Sequence, residues 1–172
     1  LNTYPNFFMY EIFLKLFKYK KFYFKIDPFN PLKTDANLLK NNIKKNKISL
    51  LVLVNPAHPF EKYWKLKELE EILKYAKQKK TFVIVDEVYQ GIGTTSCIKL
   101  TKKFKNLIVI KSASKTFGYP GLRLGYAIGN KAVIKEIESY RLSHELPTNT
   151  IEQGINLFKN YKIKIIPRIK KI

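Results

Sequence analysis

The segment Ser112-Ala113-Ser114-Lys115-Thr116-Phe117-Gly118-Tyr119-Pro120-Gly121-Leu122-Arg123 sets an amine beside two hydroxyls, with an arginine eight residues on. Two serines and a guanidinium form charge-assisted hydrogen bonds to a phosphate dianion. The Gly-Tyr-Pro-Gly turn can return Arg123 to the serines, so a phosphate and an amine-reactive carbon could sit side by side. Two more polar groups follow apolar runs. Asn55 ends Ile48–Val54, and Asp86, with Tyr89 three residues on, ends Thr81–Val85. Continuous β-branched runs of this length are expected of strands buried on both faces. Leu107–Ile110 is a third such run, ending just before Ser112.

The elements that must position these groups alternate. Apolar spacing predicts a helix over 6–19 (Phe7, Phe8, Ile12, Leu14, Phe17), a short strand over Phe22–Ile26 and a helix over Asp35–Lys45 capped by Thr34 or Asp35. Leu66, Leu69, Ile72, Leu73 and Ala76 mark one face of a helix over Lys65–Gln78. A fourth strand over Leu124–Ile128 and helices over Lys131–Tyr140 and Ile151–Lys159 complete the pattern. Alternating strands and helices predict an α/β fold with helices on both faces of the sheet. Such sheets bind ligands beyond the carboxyl ends of their strands, where Asn55, Asp86, Tyr89 and Ser112 to Lys115 all fall.

The lysine segment resembles that of class I/II aminotransferases of fold type I and is most similar to the histidinol-phosphate aminotransferase-like branch. Three further segments agree in order: Asp86-Glu87-Val88-Tyr89, the turn Asn55-Pro56-Ala57-His58-Pro59, and Tyr4-Pro5-Asn6-Phe7-Phe8-Met9-Tyr10. The resemblance runs from about Pro5 to about Leu157. It implies a three-layer α/β/α large domain with a mostly parallel sheet, here truncated at both ends. It implies pyridoxal 5'-phosphate as cofactor, bound as an imine by Lys115. Ser112, Ser114 and Arg123 would take the phosphate, Asp86 the pyridine nitrogen, Tyr89 and Asn55 the phenolic oxygen, and Phe7 the ring face. The reaction implied is transamination between an amino acid or amino-phosphate compound and a 2-oxo acid, in a homodimer. Decarboxylation of an amino-acid phosphate on the same scaffold, or a non-catalytic remnant, are the alternatives, because these motifs serve the cofactor and not the bond that is cleaved. Residues 1–160 would be part of the cofactor-binding domain and 161–172 a basic tail, disordered or the start of a small domain. The lesser alternatives that need no ligand are a strand-end cap for Asp86, a core tyrosine for Tyr89 and helix core for Phe7. The family turn continues Thr-Gly where this chain has Phe60-Glu61.

Composition excludes other classes. The formal charge is +20, yet of 33 basic residues only Arg123, Arg141 and Arg168 are arginine. Nucleic-acid sites favour arginine for bidentate and stacking contacts, and these lysines are scattered, so the charge reads as compositional bias and not as a nucleic-acid surface. No apolar run reaches the roughly 18 residues that span a bilayer, and the N-terminus lacks the pattern of a signal peptide. Cys97 is the one cysteine, which points to a reducing, cytoplasmic setting and an inert, buried thiol. His58 and His144 have no carboxylate or cysteine at ligand spacing, so a metal site is not expected. The absence of an initiator methionine suggests a fragment.

Overall fold

A computed structural model describes residues 1–172 except 5, 28, 31–34, 59–61, 92–93, 143–144, 162–165 and 170–172. The expectations for Pro5, Thr34, the Pro59–Glu61 departure and His144, and most of those for the tail, lie outside the described residues. The chain runs β1 (Asn2–Tyr4), α1 (Met9–Leu16), β2 (Tyr23–Lys25), α2 (Ala36–Asn46), β3 (Leu50–Val54), α3 (Leu66–Gln78), β4 (Phe82–Asp86), β5 (Leu107–Ser112), β6 (Gly125–Gly129), α4 (Lys131–Glu138), α5 (Thr148–Lys159) and α6 (Ile166–Ile169). Short 3₁₀ turns over Ile98–Lys102 and Pro120–Leu122 flank β5.

One six-stranded sheet has the order β2-β1-β3-β4-β5-β6. All neighbours are parallel except β5 and β6. The exception has a simple cause. A parallel return needs a long crossover, usually a helix, and the segment between Ser112 and Gly125 contains only turns and the short 3₁₀ piece Pro120–Leu122.

Side chains alternate between the faces of a strand, and here the two faces differ. Leu51, Leu53, Val83, Val85, Leu107 and Val109 meet Leu39 and Ile43 of α2 and Leu69, Ile72, Leu73 and Ala76 of α3 in the main core. Asp35 starts α2, its carboxylate accepting from the Leu38 amide at 2.8 Å. The opposite face carries Val52, Val54, Ile84, Asp86, Ile108, Ile110 and Ser112. The register pairs Val54 with Asp86, and Asp86 with Ile110. On this second face α4 approaches Ile108, since both Ile108 and Ile134 lie beside Gly129. The expected three-layer α/β architecture is therefore present. The tail is not featureless: Tyr161 packs edge-on against Phe117, ring centroids 5.4 Å apart, and α6 follows.

Candidate functional site

Three adjacent parallel strands end together, which sets their polar termini about 10 Å apart at most across the sheet. The junctions are pinned by backbone bonds. The Asn55 amide donates to the Asp86 carbonyl at 2.8 Å, and the Glu87 amide to the Ile110 carbonyl at 2.9 Å. Strand order reverses between β1 and β3, the kind of switch point where α/β sheets open a crevice. The segment leaving β1 leads into α1, and Tyr10 of α1 donates its hydroxyl to Asp86 Oδ2 at 2.6 Å.

Asp86 is buried, only 7% exposed, on the face away from the α2–α3 core. Its Oδ1 accepts from the Val88 amide at 3.0 Å. Burial pushes its carboxyl above the usual carboxylate range, while the Tyr10 and Val88 donors oppose that and the neighbouring Glu87 charge adds to it. A buried carboxylate with two donors and, among the described residues, no cation paired with it suits a cationic partner that arrives from outside.

Lys115 lies in the turn after β5 and is exposed. Its Nζ sits 5.7 Å from the centroid of the Tyr89 ring. The next residue, Thr116, donates its hydroxyl to the Val88 carbonyl at 3.4 Å. The lysine loop is thereby held against the turn that follows Asp86. Tyr89 is stacked on His58, centroids 5.0 Å apart and planes 15° from parallel. The turns after β3, β4 and β5 thus meet at one place.

The proposed phosphate cradle closes on itself. The Ala113 amide donates to the Leu124 carbonyl and the Tyr119 amide to the Ala113 carbonyl, both at 2.9 Å. Arg123 therefore returns next to Ser112, as its spacing implied. It adopts a left-handed backbone (φ 50°) and stays exposed, one guanidinium nitrogen 3.4 Å from the Pro120 carbonyl. Ser112 Oγ accepts from the Ser114 amide at 3.0 Å. An exposed amine, a buried carboxylate, two serines and an exposed arginine whose backbone returns beside them are a donor set that fits a molecule with an electrophilic carbon, a basic ring nitrogen and a phosphate.

Asn55 is deployed differently from the rest. Its Oδ1 accepts from the Trp64 amide at 2.8 Å and its Nδ2 donates to the Trp64 carbonyl at 3.2 Å. One amide hydrogen is left for a ligand, and the side chain first brackets the segment that leads into α3. Phe7 is 57% exposed and meets Phe8 edge-on at 5.0 Å. The helix-core alternative for Phe7 fails, since Phe7 precedes α1 and is exposed. The Phe7 carbonyl accepts from the Tyr10 amide at 3.1 Å, in the turn that opens α1.

Sequence reasoning gave no role to Tyr10, nor to Glu87 and Lys111. Glu87 is buried, receives the Ser96 hydroxyl and the Cys97 amide, and pairs with Lys111. A lysine directly after an apolar strand run needs a buried acid, and that was the available signal. Cys97 is fully buried, and burial pushes its thiol pKa up.

The comparisons agree with this geometry. The family model described as "Aminotransferase class I and II" matches residues 3–150. A histidinol-phosphate aminotransferase of Clostridium novyi is 31% identical over 155 residues, covering 88% of this chain and 40% of that protein. A solved structure titled a PLP-dependent aminotransferase, from Streptococcus suis, superposes with TM-score 0.83 at 20% identity, covering 97% of this chain and 45% of that one. L-threonine-O-3-phosphate decarboxylase from Porphyromonas gingivalis superposes with TM-score 0.80 at 20% identity, over 99% and 49%. The chain spans about half the length, or less, of the relatives it matches. With its motifs gathered at one sheet edge and its family model matched over most of its length, the chain belongs to the class I and II aminotransferase family.

Proposed function

We propose that this chain supplies the cofactor-holding part of a pyridoxal-phosphate-dependent aminotransferase that moves an amino group between an amino acid or amino-phosphate compound and a 2-oxo acid. The observation that carries the reading is the junction of loops: Lys115 lies over Tyr89, three residues after the buried Asp86, on the open face of the sheet. The likeness to histidinol-phosphate aminotransferases supports an amino-phosphate substrate of that kind. The solved decarboxylase shares the fold at an identity too low to say more, so that alternative has no observation of its own.

Bound pyridoxal phosphate would supply an electron sink for the charge left at the substrate's α-carbon. The protein's own groups do the rest. Lys115 Nζ takes the α-proton and returns it, as base and then acid. Asp86 would keep the ring nitrogen protonated by its charge. Tyr89 would donate its hydroxyl to the phenolic oxygen, and Asn55 would offer its second amide hydrogen there. Ser112, Ser114 and Arg123 would hold the phosphate, which keeps the reactive carbon within reach of the lysine. Phe7 would cover one ring face. None of these roles needs a metal.

In this reading residues 1–160 are part of the large domain and 161–172 a basic tail beyond it. Exposed apolar side chains on α1 support a homodimer, and one buried thiol supports a reducing, cytoplasmic setting. Among the described residues no helix is long and apolar enough to cross a membrane. The test is borohydride reduction after adding pyridoxal phosphate. The expected result is a covalent adduct on the Lys115 peptide and none in Lys115→Ala. An adduct spread over many lysines, or transamination retained by Lys115→Ala, would exclude the reading.

A further inference from the structure

We infer that Tyr10 is a positioning residue for the cofactor's ring nitrogen: its hydroxyl and the Val88 amide together fix both oxygens of the Asp86 carboxylate in one orientation on the open sheet face. The inference rests on the function proposed above, in which Asp86 meets that nitrogen.

The two donors approach different oxygens, Tyr10 at Oδ2 (2.6 Å) and Val88 at Oδ1 (3.0 Å). Each carboxylate oxygen has about two acceptor sites. The pair therefore locks the rotamer and still leaves a position for a third donor. Asp86 is buried, and an ionised carboxylate there is costly without hydrogen bonds. Tyr10 opposes that cost, and it stays a donor, because burial and then the Asp86 charge push its own pKa well up.

A purely structural role has to be separated from this one. α1 buries none of its side chains fully, so polar tethers matter to its placement. Tyr10 to Asp86 is one. The other is Glu11, whose Oε2 accepts from the Tyr23 hydroxyl at 2.7 Å and pairs with Lys21 at 3.7 Å. If Tyr10 merely ties the helix down, cutting the second tether must have the same effect on the cofactor. If Tyr10 orients Asp86, it must not.

The experiment uses the protein as the cell makes it, loaded with pyridoxal phosphate carrying ¹⁵N in the ring, in parent, Tyr10→Phe and Tyr23→Phe forms. For Tyr10→Phe we expect about tenfold weaker cofactor binding, or ~1.4 kcal/mol, the scale of one hydrogen bond to a charged group. We also expect its ring-nitrogen resonance to move toward that of unprotonated pyridine. A carboxylate that has lost a donor is more basic and less well aimed, and both changes draw the proton off the ring. Tyr23→Phe should match the parent in both measurements. Unchanged binding and resonance in Tyr10→Phe, or the same changes in Tyr23→Phe, would overturn the positioning role alone. A parent that forms no borohydride-fixed adduct at Lys115 would overturn the proposed function and this inference with it.

Discussion

Lys111 and Glu87 form an ion pair, Nζ to Oε2 3.1 Å, with side chains 7% and 0% exposed. Glu87 follows Asp86 and Lys111 precedes Ser112, so the pair clamps the two strand ends that carry the carboxylate and the lysine loop. Breaking such a pair leaves one charge buried and uncompensated, at about 3–5 kcal/mol. Lys111→Met should lower the unfolding free energy by about 3 kcal/mol in urea titrations, whereas Lys111→Met with Glu87→Gln should recover part of it. Recovery will be incomplete, since Glu87 also accepts from Ser96 and Cys97. A loss well under ~1 kcal/mol in the single variant would mean that water reaches the pair.

Asp86 illustrates a site built at the expense of the empty fold. Its pKa is raised by burial, so the folded protein favours the protonated form. A raised carboxyl pKa gives stability that is complete below the ordinary value of about 4 and is lost as pH rises through the folded value. Once ionised, the buried carboxylate of the cofactor-free protein is held at a cost. Asp86→Asn should be more stable than the parent at pH 7 without cofactor, and the difference should close as pH falls toward 4. Paired denaturant titrations at the two pH values give the sign directly. A variant less stable at pH 7 would mean that the Tyr10 and Val88 donors outweigh burial.

Most of the sheet was legible because buried strands advertise themselves. The apolar runs before Asn55, Asp86 and Ser112 became β3, β4 and β5, with boundaries off by one or two residues. β1 was missed, since Asn2–Tyr4 is too short to show any period. The antiparallel β6 was readable in principle from the missing crossover. At the site, spacing placed Arg123 beside Ser112, because a turn is a local matter. Tyr10 to Asp86 and Lys111 to Glu87 were not legible, being contacts between residues 76 and 24 positions apart in sequence that meet only once helix and strands are laid side by side. Helix α1 misled most. Its apolar spacing predicted the helix, with helix core as an alternative for Phe7, yet none of its side chains is fully buried.

Asn55 separates scaffold from chemistry. Its side chain makes two buried hydrogen bonds to the Trp64 backbone. Deleting them strands a buried amide and carbonyl, each worth roughly 1–3 kcal/mol. Asn55→Ala should therefore destabilise the cofactor-free protein by about 2 kcal/mol or more, which thermal or urea unfolding would register. Tyr89→Phe, which removes a hydroxyl at the same junction, should change unfolding far less while still weakening the cofactor contact proposed for it. Equal stability losses in the two variants would contradict the scaffold role of Asn55.

The surface of α1 sets the last expectation. Phe8, Leu16 and Phe17 are 62%, 66% and 65% exposed, on and beside one short helix. Contiguous exposed apolar surface of this kind drives association in a soluble protein. The net charge of +20 opposes it, but charge repulsion is screened beyond about 8 Å at physiological salt, whereas burial of apolar area is not. The 172-residue chain should therefore self-associate in sedimentation at physiological salt, and more so as salt rises. Leu16→Lys with Phe17→Lys should shift the distribution toward monomer without lowering the unfolding midpoint, because neither side chain belongs to the core. A parent chain that sediments as a monomer at all salt concentrations would contradict this.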